Sequence, residues 1–153
     1  LGRVLAQRML DRLSPHSKHW PLIVPTPSSP ASLASRGFHH TLQLANIVGK
    51  TLRLPVARSI LYFRTSPVPQ ASLLPDARWE NIRDTLHARR RIAGRILLID
   101  DVLTTGATLA EAGRVLQLAG AEAVDAITLL RSTRCLNYRL ARAGLAPKQR
   151  SIA

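Results

Sequence analysis

Two adjacent carboxylates, Asp100 and Asp101, are the residues whose types and position point most directly to chemistry. They follow an apolar run at residues 96–99, Ile-Leu-Leu-Ile, which is too short for a globular helix and is typical of a strand buried on both faces of a parallel sheet. The chain has only nine acidic residues. Two of them side by side at the end of a buried strand favour binding chemistry over a contribution to solubility.

The segment that follows the two acids has the composition of an anion site. Residues 104–108 read Thr-Thr-Gly-Ala-Thr, and residues 109–116 have helical spacing. A turn of small residues that opens a helix offers unpaired backbone N–H groups, hydroxyls and the positive end of a dipole, which together suit a phosphate. Vicinal ribose hydroxyls donate hydrogen bonds to carboxylates, so the order of residues fits a ribose 5-phosphate. The alternative is an ordinary turn in which the acids only cap the next helix.

The whole segment resembles the phosphoribosyl pyrophosphate signature of the type I phosphoribosyltransferases. A Walker-type loop is excluded because the full pattern Gly-x-x-x-x-Gly-Lys-Ser/Thr does not occur: Gly49-Lys50-Thr51 has Leu44 where the pattern has its first glycine. Gly-x-Gly-x-x-Gly is absent as well. The resemblance implies that Asp100 and Asp101 are the catalytic pair and hold the ribose hydroxyls. It also implies a Mg²⁺ bound through the ligand near this pair, with no metal cluster made by the protein. The implied ribose 5-phosphate site consists of Asp100, Asp101, Val102, Leu103, Thr104, Thr105, Gly106, Ala107 and Thr108.

Two further regions narrow the resemblance to the ComF family, the competence-associated branch. Arg36-Gly37-Phe38 follows a loop at residues 25–30 that occupies the place of the family's pyrophosphate loop. The resemblance assigns Pro25, Thr26, Pro27 and Arg36 to pyrophosphate binding. It assigns Arg64, Gln70 and Arg78 to the mobile hood that closes over substrate in active members.

The function implied is that of a ComF-like phosphoribosyltransferase domain, a glycosyltransferase that binds phosphoribosyl pyrophosphate or a nucleotide monophosphate with Mg²⁺. The resemblance links it to nucleotide metabolism, DNA uptake and natural competence. Residues 25–30 contain no Lys or Arg to meet the negative charge of departing pyrophosphate, so the sequence leaves turnover open. The alternative is a non-catalytic scaffold that acts in competence by binding single-stranded DNA or helicase and recombination proteins.

Strands that alternate with helices predict an α/β fold, an open, mostly parallel twisted sheet flanked by helices in a Rossmann-like arrangement. Residues 1–18 are predicted to be an amino-terminal helix and linker at the end of a longer upstream region, 19–133 the phosphoribosyltransferase-like domain, and 134–153 a basic tail. Spacing predicts a helix from Asp76 to about His87 and a buried strand over residues 123–130.

The composition is strongly basic, with 22 Lys and Arg against nine Asp and Glu and a formal net charge of +13. Such a field favours phosphorylated ligands, nucleic acid or anionic surfaces. Cys135 is the single cysteine, so no disulfide framework is expected, and a reducing, cytoplasmic setting follows. No apolar run approaches the ~20 residues needed to span a bilayer, so we expect no membrane insertion.

Overall fold

The computed structural model describes residues 20–29, 39–65 and 75–131, with the isolated positions 4, 7, 33, 34 and 37. For Pro75, Asp76 and Arg78 it describes the backbone alone. None of the helices in this part of the chain is long and apolar enough to cross a membrane. The elements follow in the order β1 (Leu22–Pro25), α1 (His40–Leu52), β2 (Leu61–Phe63), α2 (Pro75–Ile82), β3 (Leu86–Ala88), β4 (Arg95–Leu103), α3 (Ala107–Leu118) and β5 (Ala123–Arg131).

The main sheet is parallel, with the strand order β1-β4-β5. Its central strand, β4, contains the apolar run at residues 96–99, each at most 1% exposed, and continues through the acid pair to Leu103. Val56 extends the sheet by an isolated parallel bridge to Ile23 on the free side of β1. The predicted fold, a mostly parallel sheet flanked by helices, is confirmed.

Helices cover both faces of this sheet because successive side chains of a strand point to opposite faces. Leu97 and Ile99 of β4 pack with the buried residues of α1. Ile96 and Leu98 pack in a second cluster with the buried residues of α3 and of the antiparallel pair formed by β2 and β3. The two-sided burial explains why residues 96–99 of β4 are continuously apolar rather than alternating.

The prediction of a helix as far as His87 is wrong. Helix α2 ends at Ile82, and the next residues form β3, which pairs antiparallel with β2. Asp84 has a left-handed backbone, with φ of +56°, which interrupts the helix. Its N–H donates to the Glu111 side chain at 2.9 Å, so a contact with α3 stabilises the turn. Leu86 is buried as the spacing predicts, but in a strand.

Glu111 is a buried carboxylate of α3 that ties this turn to the core. It is 6% exposed, accepts the Asp84 N–H, and also accepts two hydrogen bonds from Arg114 at 2.7 and 2.9 Å. We expect Glu111→Ala to lower the free energy of unfolding by about 2 kcal/mol, because a backbone N–H and a guanidinium lose their acceptor. Urea denaturation measures the loss. Glu80→Ala removes an exposed carboxylate of α2 and should change stability by less than about 0.5 kcal/mol; equal losses in the two variants would contradict the role of Glu111.

Strand β5 is less buried than its composition predicts. It spans Ala123–Arg131, but only Val124 is fully buried, and Leu130 is 57% exposed. Within the described residues β5 pairs with β4 alone. Because β5 has a neighbouring strand on one side alone, part of its side chains contact solvent. The prediction of a buried strand is therefore wrong for most of β5 in the described part of the chain.

Candidate functional site

The acid pair lies at the carboxyl end of the central strand β4, where the loops that follow parallel strands form ligand sites. Asp100 is 8% exposed, whereas Asp101 is partly exposed. By strand alternation Asp100 belongs to the face of Leu98, and Asp101 to the opposite face. The two carboxylates therefore occupy different environments despite being neighbours.

Thr26 is the closest partner of Asp100. The parallel register aligns Pro25 with Ile99, so the next residues of the two strands, Thr26 and Asp100, lie side by side. The Thr26 N–H donates to the Ile99 carbonyl at 2.9 Å. Its hydroxyl donates to Asp100 Oδ1 at 2.7 Å, and the Asp101 N–H donates to the same oxygen at 2.9 Å. Sequence reasoning placed Thr26 in the pyrophosphate loop but missed this contact, which only the register of β1 against β4 reveals.

Burial raises the pKa of Asp100 from 3.8 to about 7. The hydrogen bond from Thr26 acts in the opposite direction, because it stabilises the ionised carboxylate, and the negative charge of Asp101 raises the pKa further. Asp100 thus changes protonation near neutral pH, and its ability to accept hydrogen bonds on both oxygens depends on pH.

The turn after β4 has a backbone geometry that suits an anion-binding turn. Gly106 has φ of +83° and stands at the N-cap of α3, a backbone conformation that glycine adopts without strain. The first turn of α3 holds no acidic residue, so its positive end is uncompensated by the helix itself. Thr105 is buried, and its hydroxyl accepts the Ala107 N–H at 3.3 Å, which supports the turn.

A small cavity lies between Asp100 and this turn. It measures about 10 Å³, room for about one water molecule, and its lining includes Asp100, Thr104, Gly106 and Thr108. A phosphate would therefore lie at its mouth rather than inside it. The structure thus brings Asp100 together with the turn at residues 104–108 and with Thr26, which the sequence analysis assigned to pyrophosphate binding. Val102, 37% exposed, and Leu103 connect the first two along the chain.

Other predicted site residues lie away from this cluster or outside the description. Pro25 ends β1 and is buried, and Pro27 is partly buried beside Thr26. Arg64 follows β2, is exposed, and its N–H donates to the Thr85 carbonyl at 2.9 Å. Arg36, Gln70 and the Arg78 side chain lie outside the described part of the structure.

The donor set of the site is one of oxygens. Carboxylates and hydroxyls are the groups beside which Mg²⁺, a hard cation, is held together with ligand phosphates. Among the described residues no group of three or more His, Cys, Asp or Glu side chains could hold a metal ion. The residues present therefore fit a Mg²⁺ that reaches the site with a phosphorylated ligand.

The site thus consists of a parallel sheet with an acid pair near the end of its central strand, followed by a glycine turn and a helix N-terminus. Residues 31–142 match the family model of the phosphoribosyl transferase domain. The chain belongs to this family. A comparison with curated proteins gave no significant match.

Solved structures with the same fold are only distantly related in sequence. The protein TT1426 from Thermus thermophilus superimposes with a TM-score of 0.57 at 16% identity, over 93% of this chain and 79% of that one. Orotate phosphoribosyltransferase from Aeropyrum pernix gives 0.51 at 15%, over 87% and 72%. Glutamine phosphoribosylpyrophosphate amidotransferase from B. subtilis, complexed with ADP and GMP, gives 0.51 at 21%. That match covers 82% of this chain and 25% of the amidotransferase, so the chain spans about a quarter of its length.

Proposed function

We propose that this domain binds phosphoribosyl pyrophosphate, or a nucleotide monophosphate, at the carboxyl end of β4. The observation that carries the proposal is the position of Asp100 and Asp101 immediately before the Gly106 turn and the amino terminus of α3. Membership of the phosphoribosyl transferase domain family supports it. So do the fold neighbours, one of which is a phosphoribosyltransferase and another a complex with nucleotides.

Each group of the site has a part in this binding. The carboxylates of Asp100 and Asp101 accept hydrogen bonds from the ribose hydroxyls. The backbone N–H groups and hydroxyls of residues 104–108, at the positive end of α3, hold the 5′-phosphate. A Mg²⁺ that enters with the ligand would lie beside Asp100 and Asp101 and would neutralise part of the ligand's charge. Pro25, Thr26, Pro27 and Arg36 face the pyrophosphate, while Arg64, Gln70 and Arg78 belong to the hood.

Transfer of the phosphoribosyl group to an acceptor requires cations in addition to the groups that bind the ligand. When pyrophosphate leaves an oxocarbenium-like ribose, cations must meet the developing negative charge. Residues 25–30 carry no cation, so within the pyrophosphate loop region this task falls to Arg36. We therefore propose ligand binding as the primary role of the site, and transfer to an acceptor base as a second step to be assayed once binding is measured.

We also propose that the domain is of the ComF type and acts in the cytoplasm in DNA uptake during competence. Arg36-Gly37-Phe38 after the pyrophosphate loop supports this assignment. The order of Arg64, Gln70 and Arg78 along the chain supports it as well.

Calorimetric titration with phosphoribosyl pyrophosphate and Mg²⁺ tests the binding proposal. We expect saturable binding by the wild-type protein and a loss of at least about 100-fold in affinity in the double variant Asp100→Asn, Asp101→Asn, because two hydrogen-bonded carboxylates are each worth more than about 1.4 kcal/mol. The matched control is Glu80→Gln, Glu122→Gln, which removes two exposed carboxylates and should bind as the wild type does. Undiminished binding in the Asp100, Asp101 variant, or none in the wild type at any Mg²⁺ concentration, would overturn the proposal.

A second candidate function rests on the formal net charge of +13. In this alternative the domain is a non-catalytic scaffold that contacts single-stranded DNA, or helicase and recombination proteins. Phosphate contacts make DNA affinity fall steeply with salt. A steep salt dependence that is unchanged in Asp101→Asn would support the scaffold, whereas parallel loss of nucleotide binding in that variant supports the first proposal. The low aromatic content, 4%, disfavours binding by base stacking.

A further inference from the structure

A groove of about 480 Å³ lies away from the acid pair, between the carboxyl-terminal half of α3 and the segment that joins β3 to β4. Its volume falls in the range of about 300–1,000 Å³ that small-molecule sites occupy. Helix α3 begins at the Gly106 turn and ends at this groove, so about 18 Å of helix separate the two places. The groove is referred to below as the arginine groove, and its lining includes Arg90, Arg91, Arg114, Val115 and Leu118 together with one carboxylate, that of Asp84.

The backbone on one side of the arginine groove is held in place. Arg89 N–H donates to the Ile60 carbonyl at 2.9 Å, and Ile92 N–H donates to the Ala119 carbonyl at 2.9 Å. The Arg89 guanidinium lies over the ring of Tyr62, 4.4 Å from its centroid. Residues 90 and 91 therefore lie between two residues whose backbone N–H groups are hydrogen-bonded to other elements. Their backbone is thus already positioned without a ligand.

The cations of the groove differ in how far they are neutralised. Arg114 is bonded to Glu111 at 2.7 Å and to Asp84 at 2.8 Å, so its charge is compensated within the protein. Arg90 and Arg91 are exposed, and neither has a carboxylate partner among the described residues. Two adjacent guanidinium groups with unfilled donors are suited to the oxygens of one or more phosphates, which they bind in a bidentate manner.

The wall of the groove that α3 forms carries an exposed apolar side chain beyond Arg114. Leu118 is 73% exposed although it is a large hydrophobic side chain, and Val115, one turn before it on α3, is 6% exposed and forms the floor. An exposed apolar side chain facing unpaired cations suits a ligand that combines a planar or apolar body with negative charge. A nucleotide has this combination, and an inorganic anion lacks the apolar part.

We propose that the arginine groove is a second nucleotide-binding site, separate from the ribose-phosphate site. The phosphates lie against Arg90 and Arg91, and the base lies against Leu118 and Val115. The last carbonyls of α3 do not repel the ligand strongly, because those of Val115, Leu116, Gln117 and Ala119 each accept a backbone N–H. A ligand in the arginine groove contacts the carboxyl-terminal half of α3, and the Gly106 turn lies at the amino terminus of the same helix.

ATP is a suitable probe, and the protein used is the full chain with Asp100→Asn and Asp101→Asn. This background removes the acid pair, so the outcome does not depend on whether the ribose-phosphate site exists. We expect saturable binding at one site per chain by calorimetry, weakened at least tenfold by adding Arg90→Ala and Arg91→Ala. Leu118→Glu should weaken it by a similar factor, because it places a negative charge on the apolar wall at an exposed position where folding is not at risk.

The control adds Lys50→Ala and Arg58→Ala to the same background. These exposed cations lie outside the groove, and their removal lowers the net charge by the same amount, so we expect a change of less than twofold. Equal weakening by both pairs would show general electrostatic attraction and overturn the proposal, as would the absence of saturable ATP binding. Displacement of ATP by a single-stranded oligonucleotide that needs the same two arginines, with a steep salt dependence, would assign the groove to nucleic acid instead.

Discussion

Asp100→Asn is expected to raise the free energy of unfolding of the ligand-free protein by about 2–4 kcal/mol at pH 8, and to change it little at pH 4. The carboxyl of Asp100 has a pKa of about 7 in the folded protein against 3.8 for the exposed group. Below pH 3.8 it is neutral in both states, so burial is fully tolerated. As the pH rises from 3.8 through 7 the stability conferred by the neutral form is lost progressively, because the unfolded chain releases the proton while the folded protein retains it. Asparagine keeps an oxygen that can accept from Thr26 and from the Asp101 N–H.

Urea denaturation of the wild type and of Asp100→Asn at pH 4, 6 and 8 measures this effect. The difference between the two proteins should grow with pH. Glu80→Gln, at an exposed position, provides the control and should give a small difference that is the same at each pH. A constant difference for Asp100→Asn would mean that Asp100 ionises in the folded protein as readily as an exposed carboxyl.

The second large effect concerns Thr26 and the pH dependence of ligand affinity. If Asp100 must be ionised to accept the ribose hydroxyls, affinity for phosphoribosyl pyrophosphate should fall up to about tenfold per pH unit below 7. Thr26→Val removes the hydroxyl that stabilises the ionised form of Asp100. We expect the midpoint of the affinity profile to move up by roughly one pH unit, since a hydrogen bond to a charged group is worth about 1.5–3 kcal/mol. At pH 9 Asp100 is largely ionised in both proteins, so any loss of affinity that remains there measures the proposed contact of Thr26 with the pyrophosphate.

Thr26→Ser is the matched control, because it keeps the hydroxyl and should keep the midpoint. The ligand's own phosphate groups titrate identically in all three titrations, so a shift between Thr26→Val and Thr26→Ser belongs to the protein. If Thr26→Val instead loses affinity equally at every pH, Thr26 contacts the ligand directly and does not act through Asp100.

The two results together describe a site whose ligand-binding form, with Asp100 ionised, lowers the free energy of unfolding of the ligand-free protein. A buried carboxylate lowers the stability of the ligand-free protein at neutral pH, and a ligand that donates hydrogen bonds to it compensates for that cost. Asp100→Asn should therefore gain stability and lose binding, which is the trade-off common to binding sites.

The local signals of the sequence determined a large part of the fold and of the site. The apolar run at residues 96–99 marked the central strand, because burial on both faces excludes polar side chains. The acid pair and the glycine turn were recognisable since they are contiguous with that strand, and Gly106 does have the positive φ that such a turn uses. Family membership follows from the same segment and is shown by the match over residues 31–142. The assignment to the ComF branch and the roles of Arg36, Gln70 and Arg78 stay predictions.

Only the tertiary structure decided features that depend on residues far apart in the chain. Thr26 meets Asp100 across 74 positions because β1 and β4 pair in one register, and periodicity within either segment carries no information on that register. The spacing at residues 76–87 favoured a longer helix, but α2 ends at Ile82. It ends there because the N–H of Asp84 donates to the side chain of Glu111, which belongs to another helix. The arginine groove likewise exists because α3 packs beside the β3–β4 segment. Local patterns determine which face of a helix or strand is buried. Which element packs against that face, and how much it costs to bury a charge there, depend on the tertiary structure.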